Sequence, residues 1–398
     1  MSNSLNRVKQ AIVLAAGEGQ RLRPFTALKP KVMIPIVNKP ILQYVIEALS
    51  MNGITEVLLV VGYGQEHVQD YFGSGEQFGV HLKYIVQKQQ IGTGHALKQA
   101  KEAVDEKFLV LAGDNIIEPK TISSFVTAQP NSILVKQQEG ESKYGVAILR
   151  DGVIVNLVEK PSEPLSNFVN IGIYMLNRKV FHYLEQEFDL PQALNQMIAD
   201  GEVLNMQETQ GVWLDAVYPW DILKLNQEAM DRAVARVGGT VESGVNLRGV
   251  VQVGKDTIIR SGSYIIGPVV IGENCQIGPN VCLFPATSVG DGVTLSPFTL
   301  VRNSVIGKNT SIGPNSLIED SVIDQGCFVG SHFIARSNVS EIKVDRELHQ
   351  VKCGVFIGED CNIEDSVLIR QGVMVGDGVS IKSMKVIAEN IPEKSWVV

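Results

Sequence analysis

The chain has 398 residues, 44% of them hydrophobic and 20% charged, with a formal net charge of −8. That length calls for two or three domains, each with enough apolar residues for a core. The mild acidity argues against nucleic acid as a partner, because a phosphate-backbone binder needs a basic face, and no apolar run approaches membrane-spanning length. Residues 1–6 lack the apolar core of a signal peptide. The five cysteines, Cys275, Cys282, Cys327, Cys353 and Cys361, fall in the second half without paired metal spacing. They are predicted to be reduced, small apolar fillers in a cytoplasmic protein.

The first half alternates strand and helix. Strands are predicted at 12–15, 57–61, 84–86 and 108–111. Ile41, Val45, Ala48 and Leu49 make one helical apolar face after Pro40, and 95–101 makes a second helix. Such alternation predicts a Rossmann-like, mostly parallel sheet with helices on both faces, and ligands outside the carboxyl ends of its strands.

The first strand end is Leu14-Ala15-Ala16-Gly17-Glu18-Gly19-Gln20-Arg21, followed by Lys31. Gly17 and Gly19 allow a tight turn with exposed N–H groups, which attracts phosphate. Arg21 adds a planar fork and Lys31 a mobile point charge. A dinucleotide-binding fingerprint would need a third glycine where Leu22 stands, and Pro24, Pro30 and Pro35 follow where its helix should start. No Gly-Lys-Ser/Thr of a P-loop occurs here. A nucleoside triphosphate is the ligand this stretch fits best; a purely structural glycine turn is the alternative.

Three further strand ends carry chemistry. Gln87, Gln90, Gly92 and Thr93 precede the second helix with amides and backbone groups suited to a base edge. His95 is expected only to start that helix and to pack or cap. Asp114 and Asp215 are lone acids after apolar runs. A triphosphate brings Mg²⁺, which takes one or two carboxylates, although either acid alone also suits a helix cap. Gly145, Glu159, Lys160 and Asn170 interrupt strand-like segments, as a sugar-like ligand would require and as an ordinary solvated sheet edge also would.

The second half counts in sixes. Leu247, Val253, Ile259, Ile265, Ile271, Ile277, Leu283, Val289, Leu295 and Val301 are each six apart; the count slips by one before Ile306 and again before Ile323, then resumes from Ile357. Only a parallel β-helix of hexapeptide repeats, three short walls to a coil, sustains that period. The segment 337–354, with its polar run 344–349, is predicted to be an excursion from a corner. The implied division is a first domain at 1–234, a linker at 235–245 and a left-handed β-helix at 246–398.

Leu14–Leu22 with Pro30-Lys31 resembles the signature of the sugar-1-phosphate nucleotidyltransferases. The stretch Gln87–Ala96 is similar to N-acetylglucosamine-1-phosphate uridyltransferases, including bifunctional archaeal enzymes. Glu159-Lys160-Pro161 and Trp213-Leu214-Asp215 are more like glucose-1-phosphate thymidylyltransferases. The resemblance implies Arg21 and Lys31 on the triphosphate, with Leu14, Ala15, Ala16, Gly17, Gly19, Gln87, Gln90, Gly92 and Thr93 around the nucleotide. It implies Asp114 and Asp215 on Mg²⁺, Asp114 catalytic with the two cations, and Gly145, Glu159, Lys160 and Asn170 on the sugar phosphate. The reaction implied joins UTP or dTTP to N-acetylglucosamine 1-phosphate or glucose 1-phosphate and releases pyrophosphate.

Bifunctional relatives add an acetyl-CoA-dependent acetyltransferase whose motif is His-x-x-Tyr-Val-Gly-Asp-Ser. Here the matching stretch is 325–332, with Gln325 in place of the His and Phe328 in place of the Tyr; only Asn338 is placed to stand for the relatives' Asn, and His332 is expected on the outer surface. The β-helix is therefore expected chiefly to drive assembly and stability, with acetyl transfer as the alternative, and the fold resemblance implies a homotrimer or a multiple of one. A non-catalytic regulatory subunit shares the two-domain plan, but it has no reason to keep Arg21, Lys31, Asp114 and Asp215 together.

Overall fold

The structure is a computed structural model that describes residues 7–138, 144–150, 152–163, 165–344 and 347–398. The opening residues 1–6 and the hairpin residues Asp345 and Arg346 lie outside it. Two compact units emerge, and neither is continuous in sequence. The first comprises Met1–Glu18, Lys29–Met33 and Ile41–Asp215; the second comprises Gly19–Leu28, Ile34–Pro40 and Ala216–Val398.

The first unit is built on a nine-stranded mixed sheet. Its strands are β1 (Gln10–Ala15), β2 (Glu56–Val61), β3 (His81–Val86), β4 (Lys107–Ala112), β5 (Ser132–Gln137), β6 (Val146–Arg150), β7 (Val153–Val158), β8 (Phe168–Asn177) and β9 (Asn205–Glu208). They run in the order β7-β6-β8-β4-β1-β2-β3, with β5 pairing β8 and β9. The half β4-β1-β2-β3 is parallel, as the strand–helix alternation predicts, whereas β8 runs antiparallel to β4 and β5. Both faces of β1 are buried. Ala11, Val13 and Ala15 join a core with helix Ile41–Met51 on one side, and Ile12 and Ala16 join a core with helix Leu190–Ala199 on the other. A strand buried on both faces must be apolar at every position, which is why 11–16 has no polar break. Pro40 ends a two-residue strand just before its helix rather than lying inside the first turn.

In the second unit the hexads form three parallel sheets of eight, nine and eight strands. Every third aliphatic residue falls on the same wall, so Ile259 stacks on Ile277 and Ile277 on Leu295, a coil of 18 residues. The one-residue slips are coils of 17, in which Leu295 pairs Ile312 and Ile312 pairs Val329. Each of these side chains is buried in one continuous core. The segment 235–245 carries two short strands, Arg236–Val237 and Thr240–Val241, that pair with Gln252-Val253 and Ile258-Ile259 as opening rungs. The excursion is a hairpin, Asn338–Val344 with Glu347–Cys353, and the stack closes beneath it because Ile323 pairs directly with Ile357. All five cysteines are free, and all but Cys282 are buried. Among the described residues no helix is long and apolar enough to cross a membrane.

The outer faces of the three walls differ. On the first, Val270, Ser288, Val305, Val322 and Phe356 are buried under the unit's own helix Asp221–Met230 and its segments Gly19–Leu28 and Ile34–Pro40. Asn226 is fully buried there: its amide donates to Ala286 O at 3.1 Å, and its Oδ1 accepts from Ser288 Oγ at 2.9 Å and from Val37 N at 3.1 Å. The second wall faces outward mainly with Gln276, Thr294, Ser311, Asn362 and Ser380. The third presents an unbroken ladder of Tyr264, Cys282, Leu300, Leu317, Ile334, Leu368 and Val386, each in register with the next.

Ile312 has no exposed surface and lies between Leu295 and Val329. Ile312→Ala is expected to lower the stability of the β-helix by about 2–5 kcal/mol, read from its urea unfolding transition. A loss below about 0.5 kcal/mol, the size of a surface substitution, would show that the wall is not close-packed.

Candidate active site

Small residues bring the first unit's chemistry together at the carboxyl ends of its strands. Gly113 N donates to Leu14 O at 2.8 Å. A Cβ on Gly113 would stand 3.1 Å from both Ala15 Cβ and Leu14 O, so glycine here lets Asp114 emerge beside the end of β1. Directly after it, Asn115–Ile117 forms an antiparallel ribbon with Trp213–Asp215, in which Asp215 opposes Asn115. Two acids far apart in sequence thereby become neighbours.

Lys31 joins them. Its Nζ lies 2.7 Å from Asp114 Oδ2 and 2.6 Å from Asp215 Oδ1, and Asn115 Nδ2 donates to the same Asp215 oxygen at 3.3 Å. The Lys31 side chain is only 11% exposed. Burial is the largest single influence on its ammonium and opposes the charge. The attraction of Asp114 and Asp215, with their hydrogen bonds, outweighs it and raises the pKa well above the ordinary lysine value. A raised lysine pKa contributes stability fully below about pH 10, and that stability is lost only as pH rises through the folded value, so the cluster is intact across the neutral range.

Both carboxylates converge on one point through a single oxygen each. Among the described residues no group of three or more His, Cys, Asp or Glu could hold a metal. Two hard carboxylate oxygens without a third protein ligand fit Mg²⁺, which completes its shell from substrate phosphates and water.

The glycine turn departs from the sequence expectation in one respect. Gly19 has φ 79°, a left-handed backbone that favours glycine. Gly17 does not adopt one, and a Cβ there would meet nothing within 4 Å. The chain's own packing does not require glycine at 17; what glycine leaves is bare backbone facing open space. Ala15 and Ala16 are buried, and Ala16 O accepts from Tyr63 N at 3.2 Å. Arg21 lies on a single 3-10 turn, Gln20–Leu22, and its loop groups with the second unit.

The amide-rich turn is held from inside. Gln87 is buried; its Nε2 donates to Gly92 O at 3.2 Å and lies 2.9 Å from His95 Nδ1. Gly92 has φ 141°, and a Cβ there would stand 2.4 Å from Phe188 O. Thr93 Oγ1 accepts from Leu190 N at 3.1 Å, at the start of helix Leu190–Ala199. Gln87 and Thr93 thus shape the turn, while exposed Gln90 reaches over Gly62 toward Ala16. His95 packs edge-on to Phe188 and does not start its helix, which runs Thr93–Lys98 rather than from 95 to 101.

The remaining residues form a third group. A Cβ on Gly145 would lie 2.8 Å from Glu159 Oε1, and Asn170 N donates to Gly145 O at 2.8 Å. Asn170 Nδ2 donates to the Tyr174 hydroxyl at 2.8 Å while its Oδ1 accepts from Gly172 N at 3.0 Å. Glu159 keeps solvent access, yet partial burial pushes its carboxyl pKa up; Lys160 draws it down and Asp189 adds to the rise. Burial likewise raises the Tyr174 phenol, against the Asn170 hydrogen bond and with Glu159. Asp189 escaped the sequence reading, and Asn115 and Tyr174, each close in sequence to a candidate residue, are assigned no role by it.

The nucleotidyl transferase family matches residues 10–232, and the GMPPB C-terminal domain family matches 247–350. The chain is similar to the bifunctional protein GlmU of Methanococcus maripaludis, 33% identical over 97% of this chain and 96% of that protein. It is equally similar, at 33% identity over 92% and 94%, to a bifunctional sugar-1-phosphate nucleotidylyltransferase/acetyltransferase of Sulfurisphaera tokodaii. Among solved structures, a Bacillus anthracis protein assigned as a glucose-1-phosphate thymidylyltransferase superposes with a TM-score of 0.52 at 28% identity, covering 57% of this chain and 97% of that one. With a buried lysine between two strand-end acids, an open glycine turn, and a family match over more than half its length, the chain belongs to the nucleotidyl transferase family.

Proposed function

We propose that the chain joins a nucleoside triphosphate to a sugar 1-phosphate and releases pyrophosphate, with residues 1–234 carrying the reaction. The observation that carries this reading is the convergence of Asp114 and Asp215 on one cationic point, Lys31. UTP with N-acetylglucosamine 1-phosphate is the first pair, favoured by the likeness of the Gln87–Ala96 turn to uridyltransferases. UTP or dTTP with glucose 1-phosphate is the second, favoured by the thymidylyltransferase structure.

An oxygen of the sugar 1-phosphate attacks the α-phosphorus, and the bond from that phosphorus to the bridging oxygen of pyrophosphate breaks. The nucleophile is already an anion, so no side chain has to remove a proton. The barrier is repulsion between two polyanions and the charge that builds on the leaving group. Arg21 and Lys31 neutralise the triphosphate, and Lys160 the sugar phosphate. The backbone N–H groups at Gly17 and Gly19 would orient phosphate oxygens, with Gln90 and the Gly92 backbone toward the base. Glu159 and Asn170, with Gly145 keeping the wall low between them, take sugar hydroxyls. Asp114 and Asp215 would hold Mg²⁺, which would supply Lewis-acid stabilisation of phosphate charge. The unpaired thiols fit a reducing, cytoplasmic setting.

We propose further that the β-helix assembles a homotrimer through its third wall, where the ladder from Tyr264 to Val386 offers a continuous apolar face. Assembly is the leading reading of this domain, and acetyl transfer, an activity named for the Sulfurisphaera tokodaii relative, is the alternative. Gln325, where the relatives' motif has a general base, donates its amide to Glu359 Oε2 at 2.7 Å and takes no proton near neutral pH, and Phe328 stands exposed without a hydroxyl. His332 lies on the outside, as expected.

Asp114→Ala and Arg21→Ala are each expected to lower pyrophosphate release about a hundredfold or more with unchanged circular dichroism. Near-normal turnover of a folded Asp114→Ala protein would remove that acid from the metal. In the same assay with glucosamine 1-phosphate and acetyl-CoA, no free thiol is expected; thiol release at a rate comparable to pyrophosphate release would restore the bifunctional reading. Leu317→Glu places a charge in the third wall and is expected to shift the sedimentation coefficient from trimer to monomer. A trimer that survives it assembles elsewhere.

A further inference from the structure

Within the second unit, Arg21 stands over an aromatic platform. Its guanidinium carbon lies 5.9 Å from the centroid of the Tyr218 ring. Tyr218 stacks on Trp220, with centroids 4.8 Å and planes 20° apart. His349 packs against both rings, 4.5 Å from Tyr218 and 5.3 Å from Trp220. The Tyr218 hydroxyl donates to Glu347 Oε2 at 3.2 Å. Glu347 and His349 are two apart on the returning strand of the hairpin, so they share a face. Among the described residues His349 Nε2 is buried without a hydrogen-bond partner, 3.6 Å from the same Glu347 oxygen.

This arrangement is more than hairpin packing. The rest of the hairpin is largely solvated, with Val339 and Leu348 59% and 63% exposed. The contacts that the returning strand makes to Tyr218 and Trp220 lie on the Glu347–His349 face. Arg21 itself rides on one short turn with no regular secondary structure on either side. A long guanidinium on such a loop loses much rotamer freedom when it grips a phosphate, and a fixed ring beneath it removes part of that loss in advance. Partial burial and Glu347 push the Tyr218 phenol up while Arg21 draws it down, so the three groups interact electrostatically as well as by contact.

We infer that Tyr218 is a positioning residue for Arg21, and that Glu347 and His349 hold Tyr218 in place, so that the β-helix hairpin sets the pose of the arginine used in nucleotidyl transfer. The inference rests on the proposed role of Arg21 at the triphosphate. It gives the excursion a task in the first reaction that is independent of any acetyl transfer.

The test uses the full-length chain with Tyr218→Leu, Tyr218→Phe and His349→Ala, each alone and combined with Arg21→Ala. Pyrophosphate release with UTP and N-acetylglucosamine 1-phosphate gives kcat/KM, and hydrogen exchange reports the peptide spanning 19–28. Tyr218→Leu and His349→Ala are expected to lower kcat/KM about 5- to 30-fold, chiefly through a higher KM for UTP, and to speed exchange in that peptide. Tyr218→Phe keeps the ring and is expected to retain most of the activity. With Arg21 already replaced, the same substitutions should change kcat/KM no further. Losses of equal size with and without Arg21, or unchanged kcat/KM and exchange, would overturn the inference. If Arg21→Ala alone leaves turnover intact, the triphosphate role of Arg21 has failed instead, and exchange in 19–28 alone then decides whether the platform holds the loop.

Discussion

An ammonium held between two carboxylates is the constraint on which the first unit's chemistry depends. Asp114 and Asp215 lie 83 and 184 residues from Lys31, and each arrives by a different route: one from the end of a central strand, the other from a short ribbon that follows it. Without a cation these two acids would repel one another at the rim of a low-dielectric sheet. Lys31 removes that penalty in the resting chain. It also leaves the two carboxylate oxygens converged on one point.

The second unit solves a different problem. A column of aliphatic rungs gives rigidity without long-range topology, because each coil needs only the coils above and below it. Its three outer walls then divide the labour. One is covered by the unit's own helix and by the segments Gly19–Leu28 and Ile34–Pro40, one is mainly polar with exposed Phe328 and Trp396, and one remains apolar. That the Arg21 loop packs with this column and not with the sheet ties a residue of the nucleotide signature to the rigid part of the molecule.

Sequence made the periodic features legible and the convergent ones only in part. The six-residue count located nearly every buried rung, and the two slips are physical, being shorter coils in which the wall length shrinks by one residue. Gly19 was readable because a left-handed turn favours one residue type, whereas the glycine at 17 is explained only by the space around it. Lys31, Asp114 and Asp215 stood out singly, but nothing local reveals that a lysine on a 3-10 turn reaches both acids. Tyr218, Trp220 and His349 carried no signal at all. Aromatic residues scattered over more than a hundred positions look like ordinary core until a hairpin returns to meet them. The antiparallel half of the sheet was likewise hidden, since strand direction is set by connections whose course the apolar pattern does not record.

The direct pairing of Ile323 with Ile357 has a consequence for how such chains change over time. Because the ladder seals itself beneath the hairpin, length inserted at that corner leaves every rung aligned, and the coils of 17 residues show that a coil can also lose one residue and keep its rungs in register. Growth or loss in this half of the molecule can therefore act through whole turns of the column, single residues between rungs, or free variation at its corners.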